Sequence, residues 1–139
     1  MDVSLQGTKD GLLPGINEVL SICKLLEEHK GGNVAALDLR ELHLWTDFFI
    51  IATVSSSTHL QGLLRHIKEH ADEQGLAIQH SSRKERSTAN DSPHAVNGSH
   101  SGWNLVDMGT VVIHLMTAQS RDFYELEELW SSAGQVYPA

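Results

Sequence analysis

GWNLVDMGTVVIHLM, residues 102–116, sets two short alternating apolar runs on either side of Asp107-Met108-Gly109, a turn signal that predicts an antiparallel hairpin. Along its first strand Trp103, Leu105 and Asp107 fall on one face, and Asn104 and Val106 on the other. One face must cover the core. If Val106 points inward, Trp103 and Leu105 form an apolar patch on the outer side; otherwise Trp103 packs beneath a helix. Tryptophan is enriched at interface hot spots, so the first arrangement makes the hairpin a candidate partner site.

Upstream of the hairpin, SSRKERSTANDSPHAVNGSHSG (81–102) offers only Ala89, Ala95 and Val96 for burial and predicts a long mobile loop. LAIQH from Leu76 predicts a strand. Before it, Leu60, Leu64, Ile67 and Ala71 share one helical face that ends at Gly75 and follows the cap-rich TVSSST. VAALDL from Val34 and FFIIAT from Phe48 predict neighbouring strands, the second apolar enough to be covered on both faces. Ile16, Val19, Leu20, Cys23 and Leu26 predict a helix over about 14–29, with Gly31-Gly32 as its stop. Downstream, QSRDFYELEELW predicts a last helix capped by Thr117, with Phe123, Leu126 and Trp130 on one face. The order is that of a single α/β domain over 1–139 with a mixed, mainly five-stranded sheet, its core about 12–131 and residues 1–11 a loose lead-in. The strand-helix-strand unit after Phe48 allows one parallel pair.

The chain is long enough for one substantial core and short for two domains. Its longest apolar run is far below the roughly 20 residues that span a bilayer, so no membrane association is expected. Its N-terminus has neither a secretory nor a transit pattern, which predicts a cytoplasmic location. One cysteine, Cys23, excludes an internal disulfide and a multi-cysteine zinc site. A net charge of −8 argues against a phosphate backbone as the main target and suits a basic protein partner.

Asp38, Asp47 and Asp107 lie at strand ends, and Ser55-Ser56-Ser57 precedes a helix. Together they raise the alternative of a metal-dependent nucleotidyltransferase or nucleotide-binding protein. Such a site pairs Gly-Ser before the helix with two aspartates one residue apart, and this chain has Val54 there and no Asp-x-Asp. Aspartates at strand ends more simply make turns. His59, His66 and His70 fall within an arc of about 40° on one helix flank, but the zinc-protease spacing is not met because Ile67 holds the glutamate position. A solvated or pH-responsive flank is the expectation. No nucleophile elbow, Walker A or Gly-x-Gly-x-x-Gly sequence occurs. No catalytic residue, metal site or cofactor is predicted, and the chain is not read as an enzyme.

Three ordered segments, ALDLRELHLWTDFFIIATVSSSTHL, GWNLVDMGTVVIHLM and SRDFYELEELW, together make the chain resemble the Iojap-related ribosomal silencing factor family from about Leu12 to Trp130. The resemblance implies a nucleotidyltransferase-like α/β fold used without catalysis. It implies binding to the fourteenth protein of the large ribosomal subunit, blocking small-subunit joining and damping translation when nutrients are short. Carried over by position, the family's hairpin tryptophan is Trp103, its strand-end aspartate Asp107 and its Val-His pair Ile113-His114. Trp103 is then the expected anchor, with Leu105 and Met108 as apolar neighbours, Asp107 as a partner for Arg or Lys, and Asp47 as a lesser contact. Val54 replaces the family's usual glycine, and the long 81–102 segment replaces a short Glu-Gly loop. Arg83, Lys84 and Arg86 in that segment leave open a minor contact with ribosomal RNA, and a homodimer through the sheet face would compete for the same patch.

Overall fold

A computed structural model describes residues 14–42, 44–81, 102–125, 128 and 131–138. Residues 82–101 of the expected 81–102 loop and the lead-in 1–11 lie outside these residues, as do Leu126 and Trp130 of the last predicted helix; Ser81 closes β3 and Gly102 directly precedes β4. The elements run α1 (Ile16–Glu28), β1 (Gly32–Asp38), a short 3-10 turn (Arg40–Leu42), β2 (Phe48–Val54), α2 (Ser57–Gln74), β3 (His80–Ser81), β4 (Trp103–Asp107), β5 (Val111–Thr117), α3 (Ala118–Tyr124) and β6 (Gly134–Tyr137).

The caps follow from the residues at the helix ends. Glu18 Oε1 accepts the Gly15 N–H at 2.8 Å at the start of α1. Ser56 Oγ accepts the His59 N–H at 3.0 Å at the start of α2, and Thr117 Oγ1 accepts the Ser120 N–H at 3.1 Å at the start of α3, each satisfying a donor the helix leaves open. α2 ends at Gly75, as expected. α3 is shorter than predicted and stops at Tyr124, where Glu125 takes a left-handed conformation.

The strands form one mixed sheet in the order β3-β4-β5-β2-β1-β6. β2 and β5 pair in parallel at its centre, and every other pairing is antiparallel. The expected hairpin and the β1–β2 pair are both present. The parallel partner of β2 is β5 rather than the strand after α2, because the β4–β5 hairpin occupies that place and leaves β3 at the far edge. β3 is only two residues long. β6 was not foreseen: GQVY is half-exposed or exposed, and its strand geometry comes from pairing with β1.

Alternation splits the apolar side chains between the two faces. Ala36, Ile50, Ala52, Val106, Ile113 and Leu115 pack on one side against Val19, Ile22, Cys23 and Leu26 of α1 and Leu63, Ile67 and Ala71 of α2. Each fully buried Leu or Ile there stabilises by roughly 1.5–3 kcal/mol. Cys23 is an inert part of this layer, its thiol pushed up to about 12 chiefly by burial and then by Glu27. A second cluster, Leu37, Leu39, Phe49, Ile51, Val112 and Met116, occupies the opposite face, flanked by half-buried Leu42, Leu44, Trp103, Leu105 and Ala133. The candidate site lies on that second face.

Candidate partner interface on the second sheet face

Val106 is buried in the helix-side core, so alternation puts Trp103 and Leu105 on the other face, where both are half-buried against the second cluster. Trp103 is thus neither bare on the surface nor sealed in the core. Gly102 lets it start there: a Cβ at Gly102 would collide with Ser120 Oγ and crowd Thr117 Oγ1 at the head of α3.

The Trp103 indole Nε1–H donates to His114 Nδ1 at 3.1 Å. His114 is 5% exposed, and burial lowers its pKa to about 4, which keeps the imidazole neutral. Its ring meets Phe49 edge-on at 4.5 Å, and Phe49 meets Trp45 at 6.3 Å. On the other side, Trp103 lies 4.6 Å from Tyr124, which abuts Phe123 at 4.9 Å. Six aromatic rings therefore run in contact from Trp45 to Phe123. The two ends of this belt are open, with Trp45 70% and Phe123 77% exposed, while Phe49 and His114 in its middle are buried. Phe123 is exposed, one residue before α3 ends, and Leu126 and Trp130, expected to share its face, lie outside the described residues.

Met108 departs from the expected surface. It is fully buried in the helix-side core, because the alternation that directs Val106 inward continues one step past the strand end and takes Met108 with it. It cannot be a surface neighbour of Trp103. Asp107 is half-buried and its Oδ1 accepts the Gly109 N–H at 2.9 Å, closing a turn in which Gly109 holds φ at +89°. Asp47 is half-buried at the start of β2, where its N–H donates to Thr110 O at 3.0 Å and its C=O accepts from Leu39 N–H at 2.7 Å.

The topology does gather Asp38, Asp47 and Asp107 at one end of the sheet, since Asp38 pairs with Phe48, Phe48 with Val111, and Asp107 with Val112. Asp38 and Asp107 are nonetheless separated by three strand spacings, about 14 Å, whereas two catalytic metals sit only about 4 Å apart. Asp38 is also engaged by Arg40, whose Nε and Nη2 donate to its two oxygens at 3.0 and 2.8 Å; this pairing lowers the carboxyl pKa and raises that of the guanidinium. The serine loop is occupied as well: the Ser55 N–H donates to His59 Nδ1 at 3.0 Å, leaving one fewer donor for a phosphate.

The histidine flank of α2 is half-exposed and borders α1. His59 Nε2 donates to His29 O at 3.0 Å, His66 stacks on His29 at 3.6 Å, and His70 Nε2 lies 3.3 Å from Ser21 Oγ. Among the described residues no group of three or more His, Cys, Asp and Glu is placed to hold a metal ion.

A cleft of about 660 Å³ opens at the other end of the sheet, lined by Asn33, Thr53, Arg121, Asp122, Glu125 and Gln135 among others. The buried Arg121 guanidinium donates to Thr53 Oγ1 at 2.9 Å and to Gly32 O at 3.4 Å. It anchors α3 to the strand ends, and the surrounding carboxylates make the cleft unfavourable for a nucleoside triphosphate.

Trp45 and Tyr124 join the belt, and Arg121 anchors α3, without being among the site residues expected from the sequence. The aromatic at 45 beside Asp47 was the available signal for the first. The exposure of Tyr124 depends on where α3 stops, which its helical pattern does not reveal.

Residues 14–138 match the family model described as ribosomal silencing factor during starvation. The chain is 30% identical over 111 residues, 80% of its length and 83% of the relative's, to a ribosomal silencing factor of Halalkalibacterium halodurans. It is 26% identical over 110 residues to the mouse mitochondrial assembly of ribosomal large subunit protein 1, covering 79% of this chain and 43% of that one. The crystal structure of a protein from Chromobacterium violaceum superposes with a TM-score of 0.66 at 30% identity, covering 91% of this chain and 92% of the other.

Proposed function

The chain belongs to the ribosomal silencing factor family, a ribosome-associated class of translation regulator, and from that premise we propose that it represses translation by occlusion. It docks on the large ribosomal subunit through that subunit's fourteenth protein and keeps the small subunit from joining, damping synthesis under nutrient limitation. The observation that carries this reading is the aromatic belt centred on Trp103, half-buried and hydrogen-bonded to His114, on a chain of net charge −8. An aromatic surface with a tryptophan at its centre suits a protein partner, and the acidic chain favours a basic one.

Trp103 is the anchor in this reading, Leu105 its apolar neighbour, and Asp107 and Asp47 the acidic contacts at the β2 and β4 ends. The mouse relative's name, which speaks of large-subunit assembly, supports the choice of subunit. The role is non-catalytic: the separated aspartates and the engaged Ser55 N–H support occlusion over nucleotidyl transfer. Action is placed on cytoplasmic ribosomes. Arg83, Lys84 and Arg86 supply a minor contact with ribosomal RNA, and a second copy of the chain on the same face competes with the ribosome.

Co-sedimentation with separated ribosomal subunits tests the reading, with wild type beside Trp103→Glu. Wild type should pellet with large subunits alone, and the folded variant should stay in the supernatant. Wild type that pellets with neither subunit overturns the proposal.

A further inference from the structure

Indole N–H is a donor with no acceptor capacity, so its 3.1 Å contact with His114 Nδ1 makes that nitrogen the unprotonated one. In the neutral ring the proton is then on Nε2. That atom is buried and has no hydrogen-bond partner among the described residues. An unmet donor inside an apolar layer is unfavourable, and His114 is the only non-apolar residue of β5 before Thr117. What the imidazole contributes in return is its Nδ1. Two further contacts hold the ring still: the edge of Phe49 at 4.5 Å and the strand pairing that sets His114 opposite Leu105.

We propose that His114 is the positioning residue of the docking face, a neutral imidazole protonated on Nε2 whose Nδ1 holds the Trp103 indole in one orientation for the partner. The proposal rests on the reading above that Trp103 docks. His114 is buried and touches no partner; it acts through Trp103. Holding the anchor in its docked rotamer removes part of the ordering cost that binding would otherwise carry.

The test uses the full chain labelled with ¹⁵N. His114→Phe keeps a flat ring and removes the acceptor, and His114→Asn returns an acceptor close to the position of Nδ1. Ring-nitrogen correlations of the wild type should report the Nε2-protonated tautomer. The Trp103 indole N–H, assigned by its loss in Trp103→Phe, should exchange slowly with solvent. In His114→Phe that exchange should accelerate and large-subunit binding should weaken about tenfold, the scale of one hydrogen bond, with His114→Asn regaining both. A wild-type ring protonated on Nδ1, or an indole exchange unchanged in His114→Phe, overturns the proposal. So does binding that persists with the indole released. Should His114→Phe fail to fold, the wild-type tautomer and the His114→Asn variant decide. Loss of binding in Trp103→Glu but not in His114→Phe removes the positioning role and leaves the docking reading standing; unimpaired binding by Trp103→Glu removes both.

Discussion

Trp103 and His114 are joined side chain to side chain across the β4–β5 ladder by a 3.1 Å indole-to-imidazole hydrogen bond, although they are not register partners: Trp103 faces Met116 and His114 faces Leu105. The bond is a diagonal one on a single sheet face, the reach that long aromatic side chains have across neighbouring strands. It ties a half-buried aromatic to the buried layer beneath it.

Trp103→Glu is expected to weaken large-subunit binding by at least about 2 kcal/mol, the scale of a hot-spot residue. The variant loses the bond to His114 and its contact with Tyr124, so its melting temperature should fall while its far-ultraviolet circular dichroism stays that of a folded α/β domain. A variant that is unfolded at room temperature would place Trp103 among the core residues instead.

Trp45 projects from the open end of the belt with 70% of its surface exposed. Trp45→Ala should therefore change stability by only about 0.5 kcal/mol, as is usual for a surface substitution. Binding should weaken by more than about 1 kcal/mol if the partner covers the belt to its end. Titration of both variants against large subunits separates this from a footprint that stops at Phe49.

His114 gives stability a pH dependence whose sign is fixed by burial. Its folded pKa is about 4, below the ordinary 6.5, so between those values the unfolded chain binds the extra proton. Stability is complete above about pH 6.5, declines as pH falls, and stops changing on this account below about pH 4. Between pH 7.5 and pH 5 the loss should be on the order of 2 kcal/mol. Urea unfolding at the two pH values, repeated on His114→Phe, isolates the contribution from that of the other histidines; equal slopes in both proteins would refute it.

Mg²⁺ with a nucleoside triphosphate should leave the melting temperature unchanged. A ligand present at a hundred times its Kd would add about 2.7 kcal/mol to the native state, an increment that a thermal scan resolves easily. A saturable rise would restore the nucleotidyltransferase alternative and make the strand-end aspartates and the serine loop its first suspects.

Much of the architecture is local and was legible in the residues. The three- and four-residue spacing in α1 and α2, the cap-rich stretch before α2, the cap at Thr117, and the continuous apolar run of β2 each report on their own segment; which serine caps α2 is settled by the structure, at Ser56. So does the alternation that sends Val106 one way and Trp103 and Leu105 the other. Followed one residue further, the same alternation already placed Met108 with Val106; treating it as a turn residue put it on the wrong face.

What the tertiary structure alone decided is non-local. GQVY has no periodicity of its own and becomes β6 by pairing with the edge of β1. The parallel partner of β2 is chosen by which strands fill the middle of the sheet. The aromatic belt joins Trp45, Phe49, His114, Trp103, Tyr124 and Phe123 from four separate segments. Periodicity along a chain fixes which face a side chain takes, because it depends only on the backbone repeat. Which rings meet on that face depends on strand order and register, and these are set by the packing of the whole sheet.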